Sequence, residues 1–210
     1  MKKKLIFVLG LIIMACLISS TALAVNVLQQ QEGDIFEIRL LENPSTGYFW
    51  HLYTEQDDSF KILNTETEFL NTDKAAAGSP ALKTWIIQVD SSGVIEICFK
   101  LHRKEAEARI VDESKYLIAV DVPVIQLGKN EVEKISLVEK IDSGYRWHKQ
   151  DNDIVDFLKV ESVEFDKNNR LKNFYFKTTK SAISELEFKL YQSWEKEEVK
   201  AVKKYLIIGN

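Results

Sequence analysis

The chain has 210 residues, is 45% hydrophobic and 29% charged, and sets 28 Lys and Arg against 32 Asp and Glu. Lys2, Lys3 and Lys4 open an N-terminal leader, so the rest keeps 25 basic residues against 32 acidic ones, a net charge of −7. That balance argues against a nucleic acid or an anionic membrane as partner.

The three lysines precede an apolar run from Leu5 to Ile18 and the small-x-small run Ala22-Leu23-Ala24. This reads as a secretory signal peptide over residues 1–24, its apolar part being shorter than the ~20 residues of a permanent membrane helix. A second reading takes Ile13-Met14-Ala15-Cys16 as a lipobox with Cys16 as a lipidated terminus, although Met14 fits that pattern poorly. Both readings export the chain, to the medium or the cell envelope. Beyond the leader the one cysteine is Cys98. An exported chain with a single thiol has no internal disulfide and relies on packing. Cys98 reads as a small, half-buried strand residue.

From there the pattern is strand after strand. Phe36, Ile38 and Leu40 alternate with charged residues, as later do Leu186, Phe188 and Leu190, and Ile95, Ile97, Phe99 and Leu101 alternate with Glu96, Cys98 and Lys100. Val160, Val163 and Phe165 sit among Glu and Ser. A period of two with aromatic and β-branched residues predicts half-buried antiparallel strands and an all-β fold. The charged stretch Glu195 to Lys204 is read as a loop and the last strand.

The chain also repeats itself. Asn43-Pro44-Ser45-Thr46-Gly47-Tyr48-Phe49-Trp50 recurs, weakened, as Asp142-Ser143-Gly144-Tyr145-Arg146-Trp147, and Gly47/Gly144, Trp50/Trp147 and His51/His148 are each 97 apart. Phe60 and Phe157 extend that spacing. Later it falls to 89, as in Trp85/Phe174 and Tyr116/Tyr205, and the turn-rich Asn71 to Leu82 is the expected place for the eight missing residues. The expectation is two tandem immunoglobulin-like β-sandwiches, 25–123 and 124–210, joined stiffly near Pro123.

Pro44 fixes its own φ and pushes Asn43 towards an extended conformation. Gly47 can take a φ other residues resist, and Asn43 and Ser45 can bond nearby backbone. The result is a pre-shaped loop with Ser45-Thr46 at its tip, suited to binding because little ordering entropy remains to be lost. For Thr46 contact is the better reading; for Trp50 and Trp147 a place in the core is.

Asn43-Pro44-Ser45-Thr46-Gly47-Tyr48-x-Trp50 resembles the signature of chagasin-type inhibitors of papain-like cysteine proteases. The resemblance runs from Gln29 to Val122, and more faintly through the second repeat. It implies an immunoglobulin-like fold whose three loops form a wedge that occludes a protease cleft without being cleaved. The first loop would be Asn43 to Tyr48. The second, Lys74 to Leu82, would centre on Gly78, Ser79 and Pro80. The third would follow Leu101, where Arg103 matches the family and Lys104-Glu105 replaces its Pro-Trp. In the second repeat Lys140-Ile141-Asp142-Ser143 has lost Asn, Pro and Thr, while Trp194 could stand for the missing tryptophan. The implied partner is a papain-like cysteine protease and the expected state a monomer without cofactor. The rival expectation is a cell-envelope interaction module with no protease target.

Catalysis has little support in the sequence. Neither HExxH, CxxC, GxSxG nor a phosphate-cradling glycine loop occurs. His51 and His148 are repeat equivalents, and His102 beside Arg103 reads as a loop edge.

Overall fold

The computed structural model describes residues 25–54, 58–70, 78–103 and 109–210. The proposed leader with Cys16, residues 74–77 of the second loop, and Lys104 lie outside the described residues.

Seven strands build the first body: β1 (Val25–Gln30), β2 (Ile35–Glu42), β3 (Tyr48–Leu52), β4 (Phe60–Phe69), β5 (Ala81–Val89), β6 (Gly93–Arg103) and β7 (Asp112–Val120). They form two sheets, β1-β7-β6-β3 and β2-β5-β4. Seven more build the second: β8 (Val124–Leu127), β9 (Glu133–Lys140), β10 (Tyr145–Lys149), β11 (Val155–Glu164), β12 (Asn169–Thr178), β13 (Ala182–Gln192) and β14 (Ala201–Gly209). Their sheets, β8-β14-β13-β10 and β9-β12-β11, repeat the order and pairing of the first body. All pairings are antiparallel except β1 with β7 and β8 with β14.

The period-two pattern decides which side chains meet between the sheets. On β6, Ile95, Ile97 and Phe99 are buried while Glu96 faces solvent. Trp85 lies 4.4 Å from Phe99 between ring centroids, and Phe174 repeats this with Phe188 at 4.7 Å. Burying each such ring contributes roughly 1.5–3 kcal/mol. Where the bodies meet, Ala119, Val122 and Leu206 are buried in a small cluster of their own, and Leu206 donates its N–H to the Pro123 carbonyl at 2.9 Å.

Register corrects two sequence expectations. β4 and β11 each carry a bulge, at Ile62/Asn64 and Phe157/Lys159. Aligning the bulges makes Ile62, not Phe60, the counterpart of Phe157, and Phe60 answers Val155, 95 positions on. Two of the eight missing residues therefore fall between β3 and β4, and six between β4 and β5. His102 is no loop edge. It lies on β6, is 2% exposed, and stacks on His51 at 4.1 Å, as Tyr191 stacks on His148 at 4.0 Å. Among the described residues no group of His, Cys, Asp or Glu is placed to hold a metal ion.

Candidate functional site

The link from β2 to β3 is a single 3-10 turn, Pro44–Thr46, entered from Asn43 and left through Gly47 at φ +78°. Proline suits this start because its missing N–H would have no helical partner there. Three donors are satisfied within the turn. Thr46 N–H and the Thr46 hydroxyl both donate to the Asn43 carbonyl, at 3.0 and 2.7 Å, and Gly47 N–H donates to the Pro44 carbonyl at 3.0 Å. The Ser45 and Thr46 side chains remain exposed at the tip.

Ser45 also ties this loop to the next one. Its hydroxyl donates to Asn43 Oδ1 at 2.6 Å and accepts the Gly78 N–H at 2.7 Å, while Asn43 Nδ2 donates to the Gly78 carbonyl at 3.4 Å. Gly78 holds φ +88°, exposed, and Pro80 is half-buried. From the third connection, Arg103 pairs in register with Tyr48, and its guanidinium lies 4.8 Å over the Tyr48 ring. Segments far apart in sequence therefore meet at one end of the sandwich, around an exposed tip.

Trp50 and Ser79, both within the segments read as protease-binding, are not at the surface, which for Trp50 is the place in the core expected above. Trp50 is 5% exposed, in the core, because the strand alternation that leaves Phe49 half-exposed turns Trp50 inward. Ser79, in the described part of the second loop, is buried. Both support the end of the sandwich without forming its outer surface. Cys98 is half-buried on β6, as expected. Burial, reinforced by the Glu113 carboxylate that accepts its S–H at 3.3 Å, pushes the thiol up to about 11, which leaves it protonated and inert near neutrality.

The sequence did not point to the residues beneath the loop. Glu42, the last residue of β2, is buried, and its Oε2 accepts the Trp50 N–H at 3.0 Å. Lys83 Nζ donates to the Trp50 carbonyl at 2.7 Å, and Trp50 Nε1 donates to the Leu41 carbonyl at 2.9 Å. The signal was present: Glu42 and Glu139 are 97 apart and Lys83 and Lys172 are 89 apart, the two spacings of the repeat.

The equivalent end of the second body is differently finished. Its turn, Ile141–Ser143, leads into Gly144 at φ +74°, and the Ser143 hydroxyl donates to the Lys140 carbonyl at 2.9 Å, as Thr46 does to Asn43. No proline stiffens it. Instead Arg146 donates to the carbonyls of Lys140, Tyr145 and Ile141, at 3.3, 2.7 and 3.0 Å. Gln192 Nε2 donates to the Ser143 carbonyl at 3.1 Å, and the Trp194 ring rests on Gly144, so close that a Cβ there would lie 2.7 Å from Cη2. Ser143 is half-buried where Thr46 is exposed. The third connection of the second body thus lies against Ser143 and Gly144, while Asp142 stays exposed.

Residues 29–120 match the model described as Chagasin family peptidase inhibitor I42. No curated protein matches the chain. Among solved structures, a cysteine protease inhibitor from Entamoeba histolytica is similar at 18% identity and TM-score 0.37, over 46% of this chain and 95% of its own. A tandem pair of titin immunoglobulin domains is similar at 7% identity and TM-score 0.29, over 89% and 93%. The C-terminal domain of the Streptococcus agalactiae AgI/II polypeptide BspA is similar at 10% identity and TM-score 0.27, over 87% and 95%.

Proposed function

We propose, from a first sandwich that matches the chagasin peptidase-inhibitor family, that this chain is an exported inhibitor of papain-like cysteine proteases, acting as a monomer through that sandwich alone. The observation that carries the reading is the exposed Ser45-Thr46 tip on a turn whose own hydrogen bonds are already made.

The mechanism is occlusion. A papain-like protease cuts an extended segment whose carbonyl can be reached by the catalytic thiolate. Here the tip is a 3-10 turn, Pro44–Thr46, and not an extended segment, so entering the cleft does not present a scissile bond in attack geometry. Gly78 and Pro80 on one side and Arg103, followed by Lys104, on the other would flank the cleft, for a contact of about 800 Å² per partner. Pre-made bonds within the loop limit the entropy lost on docking. No catalytic chemistry is required of the inhibitor, and no cofactor takes part.

On this reading residues 1–24 are a leader, and 25–123 and 124–210 descend from one duplicated unit whose second copy has lost the active tip. The rival reading, an envelope interaction module, draws on the third connection lying against Gly144 in the second body and on its 73% exposed Trp194. Titrating papain with the exported chain and its Thr46→Arg variant separates the two. The inhibitor reading expects stoichiometric loss of activity that Thr46→Arg abolishes at unchanged melting temperature. Full papain activity with both proteins would leave the interaction module standing, and equal inhibition by both would overturn the Thr46 tip as the contact.

A further inference from the structure

We infer that Glu42 is a positioning residue, a buried carboxylate that closes the neck of the loop formed by residues 43–49 and so fixes where Thr46 sits. The role in inhibition rests on the reading of that loop as the protease-contacting segment; closure of the neck does not.

The loop is held by contacts outside the core, Ser45 with Gly78 and Tyr48 in register with Arg103. None of residues 43–49 is buried, and the first buried residues on either side are Glu42 and Trp50, each 5% exposed. These two are bonded to each other across the neck through Glu42 Oε2 and the Trp50 N–H. β3 is an edge strand, and Trp50 stands opposite Leu101 in its pairing with β6. Non-hydrogen-bonded positions alternate along such a ladder. Since Tyr53 N–H is bonded to the Cys98 carbonyl, the Trp50 peptide groups point away from β6. An open edge would leave them without a strand. Glu42 takes the donor and Lys83 takes the acceptor, both reaching across from the opposite sheet. The neck is thereby fixed where the chain first enters the core after the tip.

The second body repeats the arrangement. Glu139 Oε1 accepts the Trp147 N–H at 2.7 Å, Lys172 Nζ donates to the Trp147 carbonyl at 2.7 Å, and Trp147 Nε1 donates to the Val138 carbonyl at 2.9 Å. There Arg170 also pairs with the carboxylate at 2.8 Å. In the first body Ala81 stands in register where Arg170 does. Glu42 thus closes a neck without that arginine, which makes its acceptor oxygen, and not a charge network, the operative feature.

The test uses the full exported chain with Glu42→Ala, which removes the acceptor, and Glu42→Gln, which keeps one. Amide exchange by NMR is read at Thr46, Gly47 and Trp50, with Ile97 in the core as reference. Glu42→Ala should speed exchange at the loop amides by about 10- to 100-fold while Ile97 is unchanged, and Glu42→Gln should stay within about threefold of the native chain. Papain dissociation should accelerate by about tenfold or more in Glu42→Ala alone. Unchanged loop exchange, or equal acceleration at Ile97, overturns the inference. Loosened loop amides with unaltered inhibition overturn the positioning role. If the native chain inhibits no papain-like protease, the inhibitor reading falls and the exchange data alone judge the neck. Should Glu42→Ala fail to fold, Lys83→Met, which removes the donor to the Trp50 carbonyl, takes its place with the same criteria.

Discussion

Replacing Gly47 by valine isolates the backbone conformation that aims the tip. The residue sits at φ +78°, and a Cβ built there has its nearest neighbour at 4.0 Å, the Arg103 Nε. There is room for the side chain, so the cost is conformational: about 1–2 kcal/mol for an L-residue in the left-handed region, at the upper end for a β-branched one. At ~4–8 °C per kcal/mol for a domain of this size, the first sandwich should melt about 5–15 °C lower. Gly144→Val supplies the control. It shares the positive φ, but its Cβ would also meet Trp194 at 2.7 Å and Gln192 Nε2 at 3.1 Å, so it should destabilise its own sandwich more. Circular dichroism melts and papain titration read both variants. Gly47→Val should weaken inhibition by about tenfold or more, because relief of the strain re-aims Thr46, while Gly144→Val leaves inhibition intact. A native melting temperature and full potency for Gly47→Val would refute the reasoning, as would lost inhibition in Gly144→Val.

Other expectations concern residues outside the Pro44–Gly47 turn. Arg103→Ala should slow association with the protease by about three- to tenfold and flatten its salt dependence, with little change in dissociation; stopped-flow kinetics at two ionic strengths decide it. Glu139→Ala removes a wholly buried carboxylate bonded to the Trp147 N–H and to Arg170, and should destabilise the second sandwich by about 3–5 kcal/mol in urea without altering inhibition. For Cys98 the folded thiol is raised from the usual 9.0 to about 11 by burial and then by Glu113. Raising an acid's pKa on folding favours its neutral form, so that stabilisation is complete below pH 9 and is lost as pH climbs through 11. Melts between pH 8 and 11 should show a fall that Cys98→Ala lacks.

The strands and the Asn43–Trp50 turn were legible because both are written locally. Alternation along Ile95 to Leu101 and the Asn43–Trp50 motif need no knowledge of distant partners. What escaped depends on contacts across the sandwich. The bulges at Ile62/Asn64 and Phe157/Lys159 shift a register without leaving a composition mark, so matching Phe60 to Phe157 by type alone misplaced the alignment by two residues. The burial of His102 follows from its stack on His51, which spacing along β6 does not encode. Glu42 looks like any strand-end charge until Trp50 is placed opposite it, although the 97-residue spacing to Glu139 marked it. Arg146 breaks the aromatic pattern of Phe49, and its use becomes visible only once three carbonyls converge on it.

The central claim is that an uncuttable turn fills a cysteine-protease cleft. Incubating papain with one equivalent of the exported chain, then reading residual activity and the intact mass of the chain together, tests it most directly. Activity should be lost completely, with every peptide bond from Asn43 to Tyr48 intact after prolonged incubation. Persistent activity at large excess of the chain, or a cut between Ser45 and Thr46, would contradict it.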